Sequence, residues 1–197
     1  MAPGTLLQAY RQGLFPMFID DGRLGWWSPV ERAVIPLDGL RISRSLHQSC
    51  RRFRLSVDRA FEEVMAGCAD PSRPRGWITD EIATAYTEMH RLGWAHSIEV
   101  WDGEGALVGG LYGVGIGGLF AGESMFHRVR DASKVALVHL VVLMNTRGGV
   151  LLDVQWLTPH LESMGGVVVG RGQYAILLEQ AIERPDMFES TGRHDGL

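Results

Sequence analysis

The sequence predicts an α+β fold, a mixed sheet flanked by helices, and three observations support that class. The middle of the chain carries consecutive strand-like runs joined by glycine-containing turns, which is typical of an antiparallel meander. Segments with helical periodicity and capping residues lie before and after those runs. After the last of these runs, helix-like and strand-like segments alternate.

The first 33 residues are predicted to form a small N-terminal lobe packed on the rest of the chain. This segment is irregular and aromatic, and prolines at positions 16, 29 and 36 disfavour long helices. From about Ala33 the pattern becomes regular. We therefore assign residues 34–183 to one larger domain and residues 184–197 to a loose C-terminal tail.

The regular part begins with short elements. AVIPL predicts a strand, and Ser43 is placed to cap a helix that reaches Cys50. FRLSV predicts a strand, RAFEEVMAGCA a helix ending near Gly67, and PSRPRG a loop. Thr79 then caps a clear helix, DEIATAYTEMHRLG, which has acidic residues in its first turn and ends at Gly93.

The central strands and the helix–strand alternation come next. AHSIEVWD and ALVGGLYGVGIGGLFAGESMF predict antiparallel strands, with DGEG as the first turn. A helix is predicted from about Ala132 to Asn145, and Gly148 and Gly149 end it. VLLDVQWL predicts a strand, HLESMG a short helix, GVVVG a strand and QYAILLEQAI the last helix. This order matches the N-acetyltransferase-like fold, an analogy that settles no chemistry.

Composition indicates a protein of a reducing compartment. The chain has 197 residues, 46% of them hydrophobic, which suits a single domain with a substantial core. Its two cysteines lack CxxC spacing and indicate neither a zinc site nor a disulfide scaffold. The N-terminus lacks the pattern of a signal peptide, and the longest helix-like apolar run, Val135–Met144, is too short to span a bilayer. We therefore expect a cytoplasmic protein.

The familiar cofactor and catalytic motifs are weak or absent. GVGIGG satisfies GxGxxG formally, but a strand follows it where a dinucleotide site needs a helix. The junction MFHRVRDASK before the central helix has no glycine, which disfavours the pyrophosphate of acetyl-CoA. His96 and Glu99 are three apart on a strand, so they face opposite sides and cannot share a metal. No GxSxG elbow is present, and we predict no metal and no cofactor.

Arginine is concentrated in one segment. The range Arg41–Arg54 carries five arginines and no acid, although the chain as a whole has a net charge of −4. A solvated surface patch and contact with RNA phosphates both remain open for this segment. Lys134 is the only lysine among 19 basic residues, and it lies at a predicted helix N-terminus, where a cation opposes the helix dipole.

Three polar side chains interrupt apolar strands. In LLDVQW the period of two places Asp153 and Gln155 on one face, and such buried groups need hydrogen-bond partners. A purely structural network would also explain that pair. Glu123, within LFAGESMF, has no cation beside it in the sequence and would be stabilised by a cationic ligand. We expect these three side chains to form one site.

The chain resembles the leucyl/phenylalanyl-tRNA–protein transferases in an ordered series of motifs: AYRQGLFPM, WWSP, ISRS, WITDEIATAYTEMHRLGWAHSIEVW, LVGGLYGV, FAGESMF, ASKVAL, DVQ and HLESMG. The similarity extends from about Leu7 to about Gln180. It departs from the usual pattern at Met17, where FPW is common, and in an N-terminal lobe that looks shortened. The resemblance implies a bacterial cytosolic enzyme that moves leucine or phenylalanine, and methionine less readily, from tRNA to an N-terminal arginine or lysine. The acceptor protein is thereby marked for N-degron degradation.

The resemblance also implies roles for particular residues. Asp153 and Gln155 would act on the attacking amine, with Asp153 orienting the amide of Gln155 and Glu123 facing the incoming cation. The aminoacyl side chain would occupy an apolar pocket, for which plain core packing is the alternative, lined by Leu111, Phe120, Met125, Leu140 and Met144. Contacts with tRNA are expected from Tyr10 and Tyr86 at the terminal adenosine and from Arg44, Arg51, Arg52 and Lys134. A buried acid is the alternative partner for Lys134.

The expected partners follow from that resemblance. They are leucyl-, phenylalanyl- and methionyl-tRNA and proteins that begin with arginine or lysine, with no membrane and with a monomeric enzyme. Two other functions stay in view, an acyl-CoA N-acyltransferase and a non-catalytic tRNA-binding module that uses the arginine segment.

Overall fold

The structure, a computed structural model, describes residues 1–18, 23–71 and 77–188. A two-stranded hairpin and a seven-stranded sheet make up its β-structure, and helices cover the larger sheet. The predicted α+β class with a mixed sheet is confirmed. The predicted loop PSRPRG lies almost wholly outside the described residues, as do positions 19–22 and 189–197.

The N-terminal segment is more regular than its prolines indicated. Helix α1 spans Pro3–Arg11, and strands β1, Phe15–Phe18, and β2, Leu24–Trp27, pair into an antiparallel hairpin. The expectation of an irregular segment was wrong here because the prolines at positions 16 and 29 lie outside α1, and Pro3 occupies the first turn, where the missing N–H costs no hydrogen bond. Tyr10 of α1 is buried in the core.

The next elements confirm the predicted caps. Strand β3 spans Glu31–Ile35 and belongs to the large sheet, so the sheet begins inside the segment assigned to the lobe. Helix α2 spans Arg44–Cys50, and helix α4 spans Asp80–Arg91. Their caps, Ser43 and Thr79, accept hydrogen bonds from the backbone N–H three residues later. Between these helices lie strand β4 (Arg54–Val57) and helix α3 (Phe61–Cys68).

The second half follows the predicted order. The meander consists of β5 (Ala95–Trp101), β6 (Leu107–Ile116) and β7 (Leu119–His127). After it come α5 (Ala132–Arg147), β8 (Leu151–Gln155), α6 (Pro159–Ser163), β9 (Val167–Gly170) and α7 (Arg171–Ile182). Gly148 ends α5 in the left-handed conformation that glycine adopts at no steric cost.

The large sheet has the order β4-β5-β6-β7-β8-β3-β9. Strands β7 and β8 run parallel, and the other described neighbours in this sheet are antiparallel. Helix α5 is the crossover that the parallel pair requires. The two strands that carry Glu123 and Asp153 are therefore adjacent, point the same way and end at the same edge.

The sheet separates two hydrophobic cores. Leu119 and Ala121 of β7 pack in the first core with residues of α1, α3, α4 and α7, whereas Phe120 packs in the second core with α5. Alternation along a strand sends successive side chains to opposite faces, so the cores cover opposite faces of the sheet. A substitution in the first half of β7 therefore affects one core or the other according to the face on which its side chain lies.

The chain remains packed beyond α7 as far as the structure describes it. Met187 is buried, and the Phe188 ring stacks on His96 with 3.8 Å between ring centroids. The expectation of a loose tail from residue 184 was therefore wrong for residues 184–188, because these two apolar side chains pack on the second core. The rest of the predicted tail lies outside the described residues. Each helix within the described ranges is too short or too polar to cross a membrane.

Candidate active site

The parallel pair β7 and β8 brings the three predicted polar residues together. Ala121 lies opposite Asp153 in the register, and Glu123 and Gln155 each follow two residues later. The side-chain nitrogen Nε2 of Gln155 donates a hydrogen bond to Oε1 of Glu123 over 3.2 Å. This register therefore brings Glu123 and Gln155 side by side on adjacent strands.

Glu123 lies at a β-bulge. In the pairing of β6 with β7, Gly113 is opposite Gly122 and Tyr112 is opposite Ser124, so Glu123 is the extra residue. Bulges re-aim side chains and occur often beside active sites. Here the bulge directs the Glu123 carboxylate toward the tyrosines of the first core.

Gln155 has a constrained backbone. Its φ is +57°, in the left-handed region that a non-glycine residue enters at a cost of about 1–2 kcal/mol. The Asp153 carboxylate Oδ1 accepts the Gln155 backbone N–H over 3.0 Å and so holds this conformation. The strain fixes where the end of β8 presents the amide.

The Glu123 carboxylate is surrounded by neutral donors. The Tyr86 hydroxyl donates to its Oε2 over 3.3 Å, and the Tyr10 and Tyr86 hydroxyls are themselves hydrogen-bonded. Within the described residues, no Arg, Lys or His forms an ion pair with Glu123. Burial raises the pKa of both tyrosine hydroxyls well above their usual range, with the Glu123 charge adding to the effect. They therefore act as donors at neutral pH.

Burial also dominates the titration of Glu123. Desolvation raises its pKa from the usual 4.5 to about 7, hydrogen bonding from Tyr10 opposes the rise, and the nearby Asp153 charge adds to it. Hydrogen bonding from Tyr86 and the charge of Arg32 lower the pKa of Glu123. The half-buried carboxylate thus changes charge near neutral pH, and a cation placed beside it would favour the charged form.

Asp153 is held differently, by a cation that belongs to the chain. Arg32 donates from Nε to Oδ1 over 2.8 Å and from Nη2 to Oδ2 over 2.6 Å, and Tyr174 donates its hydroxyl to Oδ2 over 2.8 Å. Both members of the ion pair are fully buried. The Arg32 guanidinium lies 4.6 Å from the ring centroids of both Phe15 and Tyr174.

These contacts correct one expected role. The amide of Gln155 is oriented by Glu123 and not by the carboxylate of Asp153, because Arg32, Tyr174 and a backbone N–H occupy the Asp153 oxygens. Sequence reasoning missed Arg32 and Tyr174. The available signal was Arg32 itself, since an arginine beside the apolar run AVIPL needs a carboxylate partner once the strand is buried.

The five predicted pocket residues lie together in the second core. Leu111 and Met125 face each other across β6 and β7, and α5 contributes Leu140 and Met144. Phe120 and the two α5 residues are almost completely buried, and Met125 is half-buried. The structure therefore brings the five side chains together in one apolar cluster.

The residues predicted to contact tRNA lie in three places. Tyr10 and Tyr86 are buried against Glu123, whereas the side chains on and beside α2 are exposed: Arg44, Arg51 and Arg52. Lys134 is half-buried in the first turn of α5, near His160, whose pKa is lowered by burial first and then by the charges of Lys134 and His127. No ion-pair partner for Lys134 occurs in the described residues. Nor do those residues contain a group of three His, Cys, Asp or Glu side chains that could hold a metal.

Two family models match the chain. One, described as leucyl/phenylalanyl-tRNA protein transferase, matches residues 34–179, and the other, described as the N-terminal domain of that transferase, matches residues 1–30. Together they span nearly the same range as the motif series.

Curated relatives agree with the family models. A leucyl/phenylalanyl-tRNA–protein transferase from Ruegeria sp. is 50% identical over 194 residues, covering 96% of this chain and 91% of that protein. A transferase of the same name from Afipia carboxidovorans is 47% identical, covering 95% and 85%. One from Rubrobacter xylanophilus is 47% identical, covering 92% and 95%.

One solved structure gives a weaker likeness. The structure of L-PGS from Bacillus licheniformis matches with a TM-score of 0.45 and 14% identity, covering 78% of this chain and 65% of that chain. The match spans less than two thirds of that protein, and at this score it supports no conclusion about fold or activity.

Proposed function

This chain belongs to the leucyl/phenylalanyl-tRNA protein transferase family, and we propose that it uses leucyl- and phenylalanyl-tRNA, with methionyl-tRNA used less readily. It is an aminoacyl-tRNA–protein transferase. Its proposed acceptors are proteins that begin with arginine or lysine, which the added residue marks for degradation. We further propose that it acts in the cytoplasm as a monomer and without a cofactor.

One observation supports this proposal more than any other. Glu123 hydrogen-bonds the amide of Gln155 and two tyrosine hydroxyls surround it, yet no described cation pairs with it. A carboxylate in such surroundings is stabilised by a positive charge. The acceptor supplies one in its α-ammonium group and a second in its basic side chain, so the cation arrives with the substrate.

The transfer step needs positioning and a proton path. The acceptor amine attacks the carbonyl carbon of the aminoacyl ester, an N–C bond forms, and the C–O bond to the terminal ribose breaks. The amine loses a proton and the ribose oxygen gains one. The ester is already activated, so no covalent enzyme intermediate is required. Holding the amine and ester in register can supply about 7–11 kcal/mol of the acceleration.

The site residues have distinct roles in this proposal. Gln155 donates its amide N–H to Glu123, which leaves its carbonyl oxygen to accept a hydrogen bond from the attacking amine. Glu123 attracts the ammonium group. Asp153 fixes the backbone of Gln155 and does not contact the amide side chain.

The rest of the enzyme is proposed to bind the aminoacyl-tRNA. Met125 and Met144 are flexible, polarisable side chains that let one apolar pocket accept a branched and an aromatic guest. One methylene is worth only about 1–3 kcal/mol in such a pocket, so overlapping acceptance is expected. The exposed arginines on and beside α2 would contact tRNA phosphates.

We also propose that residues 34–183 form an acetyltransferase-like domain and residues 1–33 a small N-terminal lobe. The meander β5–β6–β7, the crossover α5 and the parallel strand β8 support that fold. Arg32, in β3, lies on the lobe side of this boundary but forms part of the large sheet. The proposed boundary at residue 33 therefore divides the sequence, whereas the large sheet includes residues on both sides of it.

The test is incubation with radiolabelled phenylalanyl-tRNA and two acceptors that differ only in beginning with arginine or serine. Label should appear on the arginine protein alone, and Glu123→Ala and Gln155→Ala should lose transfer while keeping tRNA binding. Full activity in both variants would refute the site. Turnover with acetyl-CoA alone, or tRNA binding without any transfer, would favour the two other functions.

A further inference from the structure

The oxygens of Asp153 are fully used by donors of the protein itself. Oδ1 accepts from Arg32 Nε and from the Gln155 backbone, and Oδ2 accepts from Arg32 Nη2 and from the Tyr174 hydroxyl. An ionised carboxylate offers about four acceptor sites. Asp153 therefore has no free acceptor position for the side-chain amide of Gln155, although Gln155 is only two residues away in the chain.

This saturation determines where the Gln155 amide points. The amide nitrogen donates to Glu123 over 3.2 Å, and the Asp153 carboxylate accepts the backbone N–H of the same residue. If Asp153 lost a donor, one of its oxygens would be free to accept a hydrogen bond from the Gln155 amide nitrogen and draw it away from Glu123. The amide would then rotate, and its carbonyl oxygen would leave the position proposed for the amine.

We propose that Arg32, assisted by Tyr174, is a positioning residue for the transfer reaction: by occupying Asp153 it directs the amide of Gln155 to Glu123. The inference rests on the proposed roles of Gln155 and Glu123. It adds a residue of β3 to a site otherwise built from β7 and β8.

The surroundings of Arg32 suit such a role. Its Nη1 donates to the carbonyl oxygen of Gly13 over 3.1 Å, and its guanidinium lies between the rings of Phe15 and Tyr174. A planar guanidinium with bidentate bonds has little freedom to shift. Arg32 therefore ties the loop after α1, strand β3 and helix α7 to one carboxylate, and this fixes the end of β8.

A purely structural ion pair is the alternative, and it predicts different measurements. Breaking a buried pair costs stability in either case, so a lower melting temperature does not distinguish them. A positioning role lowers kcat while the KM for phenylalanyl-tRNA stays unchanged, because Arg32 and Tyr174 are not among the residues proposed to contact tRNA. A structural role lowers only the folded fraction.

The experiment compares Tyr174→Phe, Arg32→Lys and Arg32→Met with the wild type and with the control Arg171→Lys. Arg171 is an exposed arginine that donates to the Ser28 carbonyl oxygen. Per folded molecule, kcat should fall at least about tenfold in the three site variants with KM within about twofold, since small misplacements at a reacting centre cost up to about 10²-fold. The control should match the wild type. Tyr174→Phe removes one hydroxyl and leaves the ion pair, so it keeps the test decisive even if Arg32→Met does not fold.

A second readout does not depend on activity. The side-chain amide resonances of Gln155, assigned by their absence in Gln155→Ala, should follow the ionisation of Glu123 near pH 7 in the wild type. In Arg32→Met and Tyr174→Phe that response should weaken as the amide turns to Asp153. Unchanged kcat and an unchanged response in folded variants would overturn the positioning role alone. A wild type that does not transfer phenylalanine would instead overturn the proposed function, whatever the resonances show.

Discussion

Replacing Glu123 with glutamine should stabilise the protein above neutral pH. Burial raises the pKa of Glu123 from 4.5 to about 7. Between pH 4.5 and pH 7 the carboxyl group is therefore protonated in the native state and ionised in the unfolded state. Stability contributed by this protonated group is complete below pH 4.5 and is lost as pH rises through 7. A pKa difference of that size corresponds to a loss of about 3 kcal/mol in the free energy of unfolding. Glu123→Gln cannot ionise and keeps a similar shape, so it should avoid this loss.

The measurement is urea unfolding of both proteins at pH 5 and pH 8. The stability difference should favour Glu123→Gln at pH 8 and shrink by about 2–3 kcal/mol at pH 5. Glu104→Gln is the matched control, because Glu104 is exposed in the β5–β6 turn and its replacement should leave the pH dependence of stability unchanged. A difference between wild type and Glu123→Gln that does not vary with pH would refute the reasoning. So would a variant that is less stable at pH 8.

Three further predictions concern tRNA, the pocket and the strand β6. The double variant Arg51→Ala, Arg52→Ala should bind phenylalanyl-tRNA more weakly, with a shallower slope of log affinity against log salt in filter binding; an unchanged slope would exclude the α2 face from phosphate contact. Leu140→Ala should destabilise the protein by about 2–5 kcal/mol and raise the rate ratio of phenylalanine to leucine in competition assays, whereas an unchanged ratio would mark Leu140 as core alone. Gly113→Ala should unfold at lower temperature in a thermal melt, because an added Cβ would lie 2.3 Å from the Ala121 carbonyl oxygen; a wild-type melting temperature would show that the strands can separate there.

Local signals in the sequence were sufficient for most elements of the fold. Ser43 and Thr79 cap their helices through contacts three residues away, and Gly148 ends α5 by its own conformation, so a window of a few residues contains the needed information. The prolines at positions 16 and 29 misled because they lie outside α1 and leave that helix intact, whereas Pro3 stands in its first turn, where proline is tolerated.

The sequence indicated which polar residues belong to the candidate site, but not which hydrogen bonds and ion pairs join them. The alternation of side chains along the strand LLDVQW placed Asp153 and Gln155 on one face. Glu123 was singled out as a candidate site residue because no cationic residue lies beside it in the sequence. The bulge at Glu123 depends on the register with β6, and the partner of Asp153 lies 121 positions away in the chain. Neither is visible in a short window, since both follow from how distant strands pair.

The two acids of the site have different partners, which suits them to different roles. Asp153 has a permanent cation in Arg32, so its charge is balanced before any substrate arrives, and it can serve as a rigid anchor for the strained end of β8. Glu123 has only the amide of Gln155 and tyrosine hydroxyls, so its charge is unbalanced until a cation enters. If Arg32 paired with Glu123 instead, the site would lose its attraction for an ammonium group and leave Asp153 buried without a partner. The pairing of Arg32 with Asp153 therefore leaves Glu123 without a cationic partner among the described residues, as its proposed role in binding the acceptor requires.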